Sequence, residues 1–182
     1  MKKRDDLIRV FLILLVLLVY PLNFLVSGIT ACGNISNSVS LTQSIYIQNG
    51  TCFTVNANNL YLNGSGFTVT GNTTGSFVLA SNLANITVLN FNVRNFSTMI
   101  NLTTVNTSLF NGNNFTNDKV GNVNNNDHNM AFLLGSSNNN NISSNRIEFN
   151  VSASNRGLIT LNSNTRNNTI SSNKIMINLT GA

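Results

Sequence analysis

Beyond Ala31 the chain has three carboxylates, Asp118, Asp127 and Glu148, and its one histidine is His128. Asp118, Asp127 and His128 share an Asn-rich stretch from Asn117 to Asn129, where the two acids could approach one another with the imidazole between them. Two carboxyl groups about 5 to 9.5 Å apart are the minimum equipment for glycoside hydrolysis, and a metal needs several ligands converging on one point. Nothing in this segment fixes such convergence, so it is expected to be a solvated polar loop. Glu148 alternates with Ile147 and Phe149 and should face solvent. Copper chemistry would need a His/Met cluster that the sequence lacks. The expectation is therefore a protein with no catalytic residues, no metal and no cofactor.

The remaining reactive side chains are Cys32 and Cys52. They follow an N-terminal segment built for export. Met1-Lys2-Lys3-Arg4 is a positive start, Arg9 closes it, and Val10 to Tyr20 is an unbroken apolar run that Pro21 ends. Residues 1–31 read as a helical signal peptide, cleaved after Gly28 or Ala31. The alternative is a membrane anchor, since apolar character resumes at Phe24-Leu25-Val26. Ile29-Thr30-Ala31-Cys32 also has the form of a lipoprotein box. Lipidation of Cys32 would strand Cys52 as an odd thiol in an oxidising compartment, whereas pairing uses both, which favours a disulfide.

The formal net charge is +5, yet charged residues are only 8% of the chain. Of the basic residues, Arg94, Lys119, Arg146, Arg156, Arg166 and Lys174 lie beyond the apolar run, scattered along the sequence. Phosphate backbones are bound by cations converging on one surface, so no nucleic-acid partner is expected. Membrane contact is expected only through the N-terminal segment.

The elements that carry these residues are announced by a repeat. Asn141-Ile142-Ser143-Ser144-Asn145-Arg146-Ile147 returns as Thr169-Ile170-Ser171-Ser172-Asn173-Lys174-Ile175, an offset of 28 residues. An apolar pair five positions apart recurs at Leu62/Phe67, Ile86/Phe91, Phe110/Phe115, Ile142/Ile147 and Ile170/Ile175. Periods of this size belong to stacked units that share one core. Short runs such as Phe53-Thr54-Val55 and Ile175-Met176-Ile177 place apolar side chains two apart, the strand period. Between them stand Asn and Gly, which tolerate the left-handed backbone of sharp corners. The predicted fold is all-β, a single right-handed parallel β-helix over 32–182 whose N-terminal cap and first coil occupy 32–55. The pair members Ile86, Phe91, Phe110, Phe115, Ile142, Ile147, Ile170 and Ile175 are expected to face inward. An antiparallel sandwich would also have short strands, but it would not require an in-register repeat.

The composition has a physical cause in such a coil. Equivalent residues of neighbouring coils stand roughly 4.8 Å apart, so a repeated charge would stack on its own kind. Asparagine instead stacks favourably, amide on amide, and 38 of the 182 residues are asparagine.

From Cys32-Gly33 through Asn49-Gly50-Thr51-Cys52-Phe53-Thr54-Val55 to Gly66-Phe67-Thr68-Val69-Thr70-Gly71, the chain resembles the opening of right-handed parallel β-helix proteins of the pectin-lyase-like superfamily. In particular it is similar to the NosD-like exported repeat proteins of archaeal surfaces. The resemblance implies that the two cysteines bracket the cap and first coil. It is specific for fold and poor for activity, since lyases, hydrolases and inert spacers share the architecture. Lyases and glycosidases of this superfamily gather several acids on adjacent coils, and three dispersed acids do not match that pattern.

The last signal is the sequon Asn-x-Ser/Thr, a glycosylation acceptor in exported proteins. It occurs at Asn34, Asn49, Asn72, Asn85, Asn95, Asn101, Asn114, Asn141, Asn150, Asn167 and Asn178, and also at Asn63 and Asn106. Many of these asparagines are expected to be buried at corners. The sequence stops directly after a strand with no polar cap, as expected of a fragment or of a coil that stacks on another protein. The functional expectation is a secreted or cell-surface protein, non-catalytic, structural or adhesive, with weak carbohydrate recognition along a polar strand face. Its partners would be cell-surface glycans or envelope proteins. The competing expectation is a carbohydrate-active enzyme or a degenerate relative of one.

Overall fold

The computed structural model describes residues 26–118, 130–151 and 158–179. These form nineteen strands in three parallel sheets. After the first, each turn of the chain visits the sheets in the same order. Sheet 1 holds β1 (Ser27–Ile29), β3 (Val39–Leu41), β6 (Leu60–Asn63), β9 (Ile86–Leu89), β12 (Leu109–Asn111), β15 (Asn141–Ser143) and β18 (Thr169–Ser171). Sheet 2 holds β4 (Ile45–Tyr46), β7 (Thr68–Thr70), β10 (Asn92–Arg94), β13 (Asn114–Asn117), β16 (Arg146–Val151) and β19 (Lys174–Leu179). Sheet 3 holds β2 (Gly33–Ile35), β5 (Phe53–Val55), β8 (Ser76–Ala84), β11 (Thr98–Asn106), β14 (Met130–Gly135) and β17 (Ile159–Leu161). This is the arrangement of a parallel β-helix.

The apolar residue of each short strand points inward and stacks on its counterpart in the next coil. Leu62, Val88, Phe110, Ile142 and Ile170 form one column, and Val69, Val93, Phe115, Ile147 and Ile175 another. Sheet 3 closes the core with Phe53, Val78, Ile100, Phe132 and Ile159. Edge-to-face aromatic contacts link the walls, such as Phe115 to Phe132 at 5.4 Å and Phe77 to Phe91 at 5.0 Å between ring centres, a preferred geometry for such pairs.

Two expectations about the core are corrected. Ile86 and Phe91 are buried, but they are not the counterparts of Phe110 and Phe115; Val88 and Val93 are. A shift of two residues along a strand keeps the same face inward, so burial alone did not reveal it. Ile170 and Ile175 hold the expected register yet are 42% and 46% exposed, because they belong to the last described coil and nothing described lies beyond it.

The repeated phrase is explained by the corner between sheets 1 and 2. Ser144 and Ser172 take positive φ values of 56° and 55°, and the following Asn145 turns its side chain into the wall. Its Oδ1 accepts the backbone N–H of Asn113 at 3.0 Å, and its Nδ2 donates to the Phe110 carbonyl at 2.9 Å. Asn173 does the same one coil later, accepting from Asn145 N–H at 2.9 Å and donating to Ile142 O at 2.8 Å. A second ladder runs along the corner between sheets 3 and 1, where Asn140 and Asn168 accept the N–H groups of Ser108 and Asn140. Polar groups buried in such corners must be paired, and the amide provides a donor and an acceptor at once. At the N-terminal end of the corner between sheets 1 and 2, a glycine lies tight against the next coil. A Cβ on Gly64 would stand 2.5 Å from Phe91 Cα and from the Asn90 carbonyl oxygen, closer than any side chain tolerates.

Cys32 and Cys52 are joined in a disulfide, with Cα atoms 4.6 Å apart. Such bonds persist in oxidising compartments. The bridge links the approach to β2 with that to β5, neighbours in sheet 3. In the chain-entropy model a loop of this size stabilises by about 3 kcal/mol. Cys52→Ser is therefore expected to fray the first coil, read as faster amide exchange at Gly33 to Val55 with little change beyond β12.

Residues 1–25 lie outside the described residues, and so does the helix expected of the targeting segment. Ser27–Ile29, at the end of that segment, pairs in register with Val39–Leu41. No helix among the described residues is long and apolar enough to cross a membrane.

Candidate contact face

The outer face of sheet 2 is where the charged residues meet. The described residues include six ionisable Asp, Glu, Lys or Arg side chains, and five of them, Arg94, Asp118, Arg146, Glu148 and Lys174, stand on or beside this one face. Strand alternation sends Val93, Phe115 and Ile147 inward and their neighbours outward. The register then builds two outward columns: Tyr46, Thr70, Arg94, Thr116, Glu148 and Met176, with Thr68, Asn92, Asn114, Arg146 and Lys174 beside them.

Residues scattered along the sequence are thus brought onto one face, because a coil of 22 to 32 residues in sequence is one strand spacing in space. The cations are partly neutralised. Arg94 lies 3.7 Å from Asp118, with both side chains about half exposed, and Arg146 holds Glu148 at 2.6 Å. An exposed pair like the first is worth about 0.2–1 kcal/mol, so Arg94 can exchange partners at little cost. Lys174 stacks on Arg146 and has no ion pair among the described residues. Tyr46, 64% exposed, lies at the N-terminal end of the column. Along the second column Asn92 donates to Gly66 O at 2.7 Å and Asn114 to Asn92 Oδ1 at 3.4 Å, leaving the buried Asn114 Oδ1 without a partner.

Of the expected polar site, Asp118 is seen at the end of sheet 2. Its backbone N–H donates to Asn95 Oδ1 and its carbonyl accepts from Asn150. Asp127 and His128 lie outside the described residues. Glu148 faces outward as expected. Among the described residues no three His, Cys, Asp or Glu side chains form a group that could hold a metal. A recess of about 320 Å³ on sheet 1 is lined by Val26, Ser38, Asn59 and Tyr61 and contains no ionisable acid or base beyond the phenol.

The sequons take a different place from the one expected. None of their thirteen asparagines is fully buried. The buried asparagines, Asn113, Asn117, Asn140 and Asn145, each 1% exposed, all stand outside sequons. Ladder corners demand Asn followed by the first residue of a strand, and in Asn140, Asn145 and their like the residue two further on is Phe or Ile rather than Ser or Thr.

No family model, curated protein or solved structure matches this chain.

Proposed function

We propose that the chain is an exported, non-catalytic surface protein of structural or adhesive role, which meets cell-surface glycans or envelope proteins through the outer face of sheet 2. One observation carries the reading: five of the six described Asp, Glu, Lys and Arg side chains gather on one of three outer faces. Among the described residues only Arg166 carries a charge elsewhere, so that face is the one equipped for electrostatic complementarity. The disulfide agrees with export. The resemblance of the cap to pectin-lyase-like and NosD-like proteins points the same way, and the parallel sheets are consistent with it. Against a hydrolase or lyase stands the chemistry of the two described acids. Each is already held by an arginine, and among the described residues neither pairs with another carboxylate to give an acid and a nucleophile.

The reading is tested by incubating the chain with pectate, alginate and neutral glucans, with and without calcium. No reducing ends or unsaturated products are expected. In parallel, retention on envelope preparations should fall about tenfold in the Arg94→Gln/Lys174→Gln double variant, a loss of about 1.4 kcal/mol. Turnover abolished by Asp118→Asn together with Asp127→Asn would make the chain an enzyme and the Asn117 to Asn129 stretch its active-site loop.

A further inference from the structure

The thirteen sequons are not equivalent in the folded coil. A glycan bonded to Nδ2 needs an amide that points to solvent and is not already used to hold a neighbouring strand. Sheet 2 offers none. Asn95 is half-buried, with its Oδ1 held by the Asp118 N–H at 3.1 Å, while Asn114 donates to Asn92, Asn150 to Asp118 O at 3.2 Å, and Asn178 to Asn150 Oδ1 at 3.1 Å. At the other corners Asn85 donates to Asn59 Oδ1 at 2.8 Å, and Asn63 and Asn106 are half-buried, their Oδ1 atoms accepting from Ser65 N–H at 3.0 Å and Asn138 N–H at 2.9 Å. Asn72 is engaged by a neighbour. Asn101 is half-buried in register between Leu79 and Leu133.

Four remain. Asn34 on the outer face of β2, Asn49 at the corner before β5, Asn141 on the outer face of β15 and Asn167 at the corner before β18 are exposed. Among the described residues their amides have no hydrogen-bond partner. All four lie on sheets 1 and 3 or at the corners that lead into them.

We propose that Asn34, Asn49, Asn141 and Asn167 are N-glycosylation sites, and that the outer face of sheet 2 is kept free of glycan as the contact face. The inference rests on the export reading, since the modifying machinery is met during export. The co-reactant is a lipid-linked oligosaccharide phosphate. The asparagine Nδ2 forms a bond to sugar C1, the C1–O bond to phosphate breaks, and phosphate leaves with that electron pair while Nδ2 gives up one proton. Glycan on two sheets would also shield edges and polar faces that invite association, while leaving the charged face open.

The test is peptide mapping by mass spectrometry of the full chain isolated from the cells that make it, with surface labelling of intact cells as a separate readout. Glycan mass is expected on the four peptides and on none containing Asn95, Asn114, Asn150 or Asn178. Asn141→Gln should remove one glycan mass and leave the unfolding midpoint unchanged. Asn150→Gln should remove none. A surface-labelled chain with no glycan, or with glycan on the sheet 2 asparagines, overturns the assignment while leaving the export reading intact. A chain that is neither labelled nor modified overturns both.

Discussion

Ile142→Asp is expected to abolish cooperative unfolding of the C-terminal half of the coil. Ile142 is fully buried, stacked between Phe110 and Ile170 in the column that lines sheet 1. The cluster around it is apolar, with no cation to pair with the new carboxylate. An unpaired charge there must either be buried or take up a proton, and both are costly. A penalty of about 5 kcal/mol reaches the lower end of the whole stability of a typical domain. Coils contact only their neighbours, so the loss should be greatest from β12 to β18 and should leave the disulfide-bonded cap protected. Urea titration followed by circular dichroism and by amide exchange reads both. Ile142→Val, at about 0.5–1.5 kcal/mol, separates a charge effect from a packing effect. An aspartate variant that unfolds with the wild-type midpoint would mean that the register is wrong.

That register was legible in the sequence only where the corner chemistry repeats. Ser144-Asn145 and Ser172-Asn173 place one residue at positive φ and the next in the ladder. In these two coils the same residues meet both demands, so the phrase returns intact after 28 residues. Upstream, the corresponding corners are Gly112-Asn113 and then Asn90-Phe91. Phe91 takes the ladder position and gives its N–H to Asn113 Oδ1 at 3.1 Å, while its ring fills the core. A phenylalanine there resembles a strand residue, and the apparent pair Ile86/Phe91 is consequently two positions from the true one. Positive φ at Asn59, Asn82, Asn85, Asn90 and Asn95 bears out the reading of asparagine as the corner residue. The cap followed the same logic, since two cysteines 20 residues apart span one coil of a fold whose coils are little longer.

The contact face was not legible, for a geometric reason. Arg146 and Lys174 share the 28-residue repeat, but Arg94 lies 52 residues before Arg146, and successive coils differ in length, so no fixed period in the sequence joins it to them. Only the strand pairings place all three on one face, in two adjacent columns. The sequons failed in the opposite direction. Their abundance was visible, but whether an amide is free depends on the neighbouring coil. Asn141 and Asn145, four residues apart and both polar, differ completely: one faces solvent and the other is sealed in the wall.

That contrast supplies the second large effect. Asn145→Leu is expected to destabilise the coil by about 3–5 kcal/mol, and Asn141→Ala by no more than about 0.5 kcal/mol. Removing the Asn145 amide leaves the Asn113 N–H and the Phe110 carbonyl buried without the partners they have now. Each orphaned group costs about 1–3 kcal/mol. It also cuts the amide row, because Asn113 Nδ2 donates to Asn145 Oδ1 and Asn145 Nδ2 to Asn173 Oδ1, both at 3.0 Å. Asn145→Asp discriminates between shape and hydrogen bonding. It retains the size of the side chain and the acceptor for Asn113, but sets a carboxylate oxygen against Phe110 O and Asn173 Oδ1, where two acceptors then face a third. If the ladder acts through its donors, the aspartate variant falls at least as far as the leucine variant at neutral pH and recovers in part in acid, as protonation restores one donor. Equal midpoints for wild type and Asn145→Leu would show instead that inward packing alone holds adjacent coils in register.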